Sequence, residues 1–134
     1  MPASKYDFPI ERGSSYKLSL KYKDNNDQPK DLTGWCARLI WTTNEGATQT
    51  FSTTNNDLSL YKFEIIGSEG HILLKIPATT TNLFTFETAN YDLELESPND
   101  IYVGGGKEII RLLYGTIKIA NRYSEQNTLL DCQP

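Results

Sequence analysis

The stretch that most limits what this chain can become is Ala89-Asn90-Tyr91-Asp92-Leu93-Glu94-Leu95-Glu96. From Tyr91 onward, bulky apolar and acidic residues alternate without a fault. Tyr91, Leu93 and Leu95 share one face, and Asp92, Glu94 and Glu96 the other. A two-residue period of this kind predicts a strand with one face buried and one wet. Ser97-Pro98-Asn99-Asp100 and the run Gly104-Gly105-Gly106 follow, and then a long strand from residue 108 to about 120. The two segments read as a hairpin whose loop is too long for a tight turn.

The rest of the chain repeats the theme. Residues 5–10 read as a short strand with Pro9 marking a sheet edge. In 16–22, Tyr16, Leu18, Leu20 and Tyr22 fall on one face, and in 35–41 Trp35, Ala37, Leu39 and Trp41 do the same. Both tryptophans therefore belong to one side of one strand, facing the core. Further strands are expected at 48–52, 58–66 and 71–76, the last ended by Pro77. Residues 78–88 alternate poorly and read as a corner with one helical turn, where Leu83 and Phe84 plug the bottom of the sandwich. The segments between strands are turn chemistry, as in Lys23-Asp24-Asn25-Asn26-Asp27-Gln28-Pro29 and Asn44-Glu45-Gly46.

Eight strands at short spacing, without a long helical period, predict an all-β chain. The expected architecture is an immunoglobulin-like antiparallel β-sandwich of about eight strands. Its sharper signature is Tyr91, two residues before the inward Leu93 and just after a corner. Immunoglobulin-like sandwiches place a tyrosine there whose hydroxyl returns to nearby backbone, and Trp35 or Trp41 fits the core tryptophan. Leu93 stands where the second cysteine of antibody domains falls, so no core disulfide is expected. At 134 residues one core suffices. Residues 1–123 are read as one domain with a short N-terminal arm, and 124–134 as a polar tail anchored only by Leu129 and Leu130. The long strand 108–120 carries a phase conflict. Ile109, Leu113, Ile117 and Ile119 favour one face, while Ile110, Leu112 and Tyr114 favour the other. Either a bulge near Gly115 reconciles the halves, or both faces of the first half are covered, one of them by a neighbouring subunit.

Composition excludes some functions. The net charge of −4, from 17 acidic and 13 basic residues, argues against a broad nucleic-acid footprint. No stretch is long and apolar enough for a membrane helix, and the first residues lack the apolar core of a secretion signal. Folding in a cytoplasm is expected, with Cys36 and Cys132 as two free thiols.

Candidate chemistry is sparse. Gly104-Gly105-Gly106-Lys107 lacks the phosphate-loop spacing, since Glu108 follows the lysine. The run from Asp24 fails the calcium-loop pattern, with Pro29 at the sixth position and Trp35 at the twelfth. The single histidine, His71, has no partner near it in sequence. Asp92, Glu94 and Glu96 read as a solvated face instead of a catalytic pair. No enzyme activity, metal or cofactor is expected. A different class of reading is a monomeric carbohydrate- or peptide-binding module, with Tyr61, Tyr102 or Tyr123 exposed to stack ligands. The loop with Ile101, Tyr102 and Val103 is the first candidate contact surface, and Leu129 and Leu130 are the second.

The order of the pieces resembles a family of small structural proteins of tailed phages and prophages. The resemblance is carried by the turn and strand from Arg12-Gly13-Ser14-Ser15-Tyr16 to Leu20, by Pro29-Lys30-Asp31-Leu32-Thr33-Gly34-Trp35, and by the strand from Gly70-His71 to Ile76-Pro77. The last leads into a threonine-bearing corner, Ala78-Thr79-Thr80-Thr81. Tyr91-Asp92-Leu93-Glu94-Leu95 and Arg111-Leu112-Leu113-Tyr114-Gly115-Thr116-Ile117-Lys118-Ile119 complete it. It covers about residues 8–123. The resemblance implies a virion component, part of a tail-tip or baseplate collar ring of siphophages that anchors fibres or receptor-binding proteins. Its implied partners are other virion tail proteins and further copies of itself in a homo-oligomeric ring, with no nucleic acid and no membrane.

Overall fold

The computed structural model describes residues 3–54, 60–100 and 104–121. Ile101, Tyr102, Val103, Tyr123, Leu129, Leu130 and Cys132 lie outside the described residues. Nine strands appear in the order β1 (Ser4–Lys5), β2 (Phe8–Glu11), β3 (Tyr16–Lys21), β4 (Cys36–Thr43), β5 (Thr48–Ser52), β6 (Lys62–Ile66), β7 (His71–Ile76), β8 (Thr88–Asp100) and β9 (Lys107–Ala120). One turn of 3₁₀ helix, Gly67–Glu69, and one short helix, α1 (Ala78–Thr81), complete the set. The ninth strand arises because the first expected strand is split at Tyr6 and Asp7.

The strands form two sheets packed as a sandwich. One runs β1-β9-β8-β4-β5, with β2 also on β9; the other is β3-β7-β6. The order β9-β8-β4-β5 facing β3-β7-β6 is that of an immunoglobulin-like sandwich, with strands G, F, C and C′ opposite B, E and D. All pairings are antiparallel except those of β1 and β2, which run parallel to β9. Pro9 tolerates its place because β2 is an edge strand.

The alternation that made β8 legible is realised across the whole large sheet. Leu39, Leu93 and Leu113 stand opposite one another in register on β4, β8 and β9, and all three are buried. Leu93 thus keeps apolar the place where antibody domains carry a cysteine; Cys36 is a free thiol on β4. Trp41 is the buried tryptophan, with ring centroids 4.9 Å from Phe51, 5.2 Å from Phe84 and 5.4 Å from Phe86. Burying side chains of this size contributes roughly 1.5–3 kcal/mol each.

The corner after β7 is held by its threonines. Thr81 Oγ1 accepts from the Gly13 amide at 3.1 Å and donates to the Ser14 carbonyl at 2.8 Å, and Thr80 Oγ1 donates to the Leu60 carbonyl at 2.6 Å. Phe84 plugs the sandwich as expected, but Leu83 does not, since it is 66% exposed. The helical turn points it away from the core. At Asp31-Leu32-Thr33-Gly34, Asp31 Oδ1 accepts from the Thr33 amide at 2.9 Å, and Leu32 is fully buried with its amide on the Gly67 carbonyl. This loop carries the chain from the small sheet to the large one.

Three further expectations about the strands need correction. Ser97 to Asp100 continue β8 instead of forming a loop, and the buried Ser97 hydroxyl bridges the irregular step by accepting from the Glu108 amide at 2.8 Å. The bulge that resolves the phase conflict lies at Leu112, not at Gly115. Leu93 pairs with Leu113 and Glu94 with Arg111, leaving Leu112 as the extra residue. Ile110 and Leu112 face inward before it, and Leu113, Ile117 and Ile119 after it. Ile109 is 52% exposed, so among the described residues the outer face of the first half is not covered there.

The third correction concerns Tyr91. Its hydroxyl does not return to nearby backbone. It donates across 85 residues to the Tyr6 carbonyl at 2.5 Å. Gly115, opposite Tyr91 in register, lies beside the break between β1 and β2, which run along β9 in one register. A Cβ at Gly115 would run into the Tyr6 carbonyl oxygen and the Asp7 carboxylate. The Tyr6 amide donates to the Tyr114 carbonyl and the Thr116 amide to Asp7 Oδ1, each at 2.8 Å. Phe8 then stacks on Tyr16 at 4.9 Å and meets Tyr91 edge-on at 5.1 Å.

Tyr91→Phe leaves the Tyr6 carbonyl without this donor and should lower stability by about 1–2 kcal/mol in urea unfolding. Gly115→Ala should cost about 1–3 kcal/mol through overpacking, with loss of hydrogen-exchange protection first in β1 and β2. Burial pushes the Tyr91 phenol well above its ordinary value of 10, and Tyr16 likewise. Above that pH the unfolded chain gives up protons that the folded chain keeps, so stability falls as pH rises past about 10. Thermal melts of Tyr91→Phe should show a shallower decline there than the wild type.

Candidate functional site

The closing hairpin is the part of the large sheet that exceeds the needs of the sandwich. Pairing of β8 with β4 spans Ala89 to Glu96, so the end of β8 and the start of β9 project past β4. On its other side β9 is covered by β1 only from Leu113 onward. Among the described residues, Lys107 to Leu112 have no strand partner on that edge. An open edge presents unpaired amides and carbonyls that can template another strand.

Below this edge the two sheets part. A recess of about 160 Å³ lies between Leu20 of β3 with Tyr22 just after it and Ile110, Leu112 and Leu113 of β9. The bulge at Leu112 makes this possible, because it turns Ile110 and Leu112 toward the recess and Ile109 outward. An extended peptide laid on such an edge gains main-chain hydrogen bonds and a slot for alternate side chains.

The acidic face of β8 is engaged by arginine. Arg38 Nε donates to Glu94 at 2.9 Å and Arg38 Nη1 lies 3.5 Å from Glu96; Arg111 Nη1 lies 3.5 Å from Asp92. In register the row reads Arg38, Glu94, Arg111 across β4, β8 and β9. The hydrogen bond to Glu94 holds the Arg38 guanidinium still more firmly protonated. Arg111 also lies over the Tyr114 ring at 4.9 Å.

The other singled-out residues fall elsewhere. His71 does find a partner, on the neighbouring strand: its Nε2 lies 2.6 Å from Ser19 Oγ on the exposed side of the small sheet. The periodicity of β3 and β7 puts both residues on outward positions, but only their register brings them together. Tyr61 is not an exposed stacking platform. It is buried against Phe51, and its hydroxyl accepts from the Ser52 amide at 3.2 Å. Among the described residues no group of three or more His, Cys, Asp or Glu is placed to hold a metal ion, and no helix is long and apolar enough to cross a membrane.

The contact residues expected from sequence, Ile101, Tyr102, Val103, Leu129 and Leu130, lie outside the described residues. Sequence reasoning missed Ile109 as an exposed apolar residue of β9, although its place in the phase conflict was the available signal. The sequence matches no family model, and no curated protein is similar to it. Arg38→Ala should lower stability by no more than about 1 kcal/mol, with the difference from wild type shrinking as salt is raised.

Proposed function

We propose that this chain is a non-enzymatic structural protein of a tailed phage particle. In this reading it is one subunit of a tail-tip or baseplate collar ring on which fibres or receptor-binding proteins are mounted. The order of sequence motifs supports the phage assignment. The observation that carries an assembly role is the hairpin itself, with an open β9 edge from Lys107 to Leu112, Ile109 at 52% exposure, and an apolar recess beneath. A rigid sandwich presenting a strand edge suits a part that binds neighbours through backbone pairing. Ring closure requires a heterologous interface, in which one patch meets a different patch on the next subunit.

The partners in this proposal are further copies of the chain and other virion tail proteins, and the location is the virion tail after folding in the host cytoplasm. The loop carrying Ile101, Tyr102 and Val103 joins the two strands of this hairpin, and the C-terminal segment with Leu129 and Leu130 is the second proposed contact.

Mass spectrometry and immunogold labelling of purified particles should place the chain at the tail end; its absence from particles would overturn the reading. Ile109→Glu should leave the melting temperature within a few degrees of wild type and abolish incorporation. Replacing Ile101 and Tyr102 with serine, or deleting residues 124–134, should likewise leave a folded monomer that no longer assembles. Unchanged assembly in all three variants would sink the contact assignments.

A further inference from the structure

The outward face of the small sheet has a charge balance opposite to that of the chain. Strand alternation puts Lys17, Ser19 and Lys21 of β3, His71, Leu73 and Lys75 of β7, and Lys62, Glu64 and Ile66 of β6 on that face. Four lysines therefore share it with one carboxylate, in a chain whose net charge is −4. Register sharpens this: Lys75 stands directly opposite Lys17 on one side and Lys62 on the other. Like charges facing one another across strands destabilise a sheet. Lys62 reaches Glu64 at 3.9 Å; among the described residues Lys17, Lys21 and Lys75 have no carboxylate within 4.0 Å. On the large sheet, by contrast, Arg38 and Arg111 are both paired with carboxylates. The lysine row borders a recess of about 420 Å³ whose apolar wall includes Ile76 and Pro77.

We propose that this face docks a short acidic segment of a partner protein, laid along Lys62, Lys75 and Lys17 with one side chain in the recess. Charge complementarity selects the class of ligand, and three further observations select a peptide over a nucleic acid or an anionic glycan. The neighbouring aromatics offer no stacking platform, because Tyr16 is stacked on Phe8 and Tyr61 is buried against Phe51. The cations are lysine point charges without the planar fork that arginine uses for phosphate. A net charge of −4 repels a long polyanion that extends beyond the patch, whereas a short acidic stretch ends with it. The face lies on the sheet that does not contain the closing hairpin, so the inference stands apart from the assembly reading.

The test uses a fluorescein-labelled hexaglutamate peptide at low salt, with hexaglutamine as control and heparin and single-stranded DNA as competing probes. Hexaglutamate should bind with an affinity that falls as salt rises, and hexaglutamine should not bind. Lys75→Glu converts two repulsive pairs into attractive ones, so it should raise the melting temperature while weakening hexaglutamate binding by about tenfold or more, since each tenfold step corresponds to only a small change in binding free energy. Lys17→Gln with Lys75→Gln should weaken binding and raise the melting temperature by less than Lys75→Glu does, since it removes repulsion without adding attraction. Absence of hexaglutamate binding, binding unchanged in both variants, or binding to heparin or DNA but not to the peptide would overturn the proposal.

Discussion

The Tyr91 hydroxyl on the Tyr6 carbonyl is the contact on which the rest of the large sheet depends. It lies where β1 gives way to β2 alongside β9, and Gly115 leaves room for the Tyr6 backbone there. With β1 and β2 in place, β9 has neighbours on both sides along its second half, and Phe8 and Ile10 close the core. Without them, Ile117 and Ile119 would sit on an open edge. Both participants are costly to leave unsatisfied when buried, so the pairing of the two chain ends is held in one arrangement. Formation of this contact joins segments far apart in sequence, which is the expensive part of building a sandwich.

On the other side of Leu113 the sheet changes character. The extra residue at Leu112 reverses which side chains of β9 face inward. After the bulge the strand has a neighbour on each side; before it, the strand pairs with β8 alone among the described residues, and its start at Lys107 and Glu108 projects past β4. One covalently continuous strand thus does two jobs, and the bulge separates them. A strand without the bulge would have to bury Arg111 or expose Leu113, and either choice is unfavourable.

The outer faces of the two sheets solve opposite electrostatic problems. Acidic residues of β8 are neutralised by Arg38 and Arg111, which gives a mixed, weakly interacting surface. The lysines of β3, β6 and β7 face one another in register and are not neutralised to the same degree. In a chain of net charge −4, this concentration of cations on one small face is the feature on which the proposed docking of an acidic segment rests.

The sequence by itself determined the all-β class, most strand positions, the corner turn at residues 78–81 and the inward faces of β3, β4 and β8. These follow from a two-residue period and local turn chemistry, which are written in neighbouring residues. Tertiary structure decided what local pattern cannot encode. The acceptor of Tyr91, the partner of His71 and the row of lysines all depend on register between strands distant in sequence. So does the position of the bulge, because the phase conflict in β9 is visible in one strand but can be placed only against β8. Leu83 was misassigned for the same reason: a short helical turn sets its direction, and hydrophobicity alone does not. The meaning of Gly115 emerged only when the Tyr6 backbone was seen to occupy the space a side chain there would need.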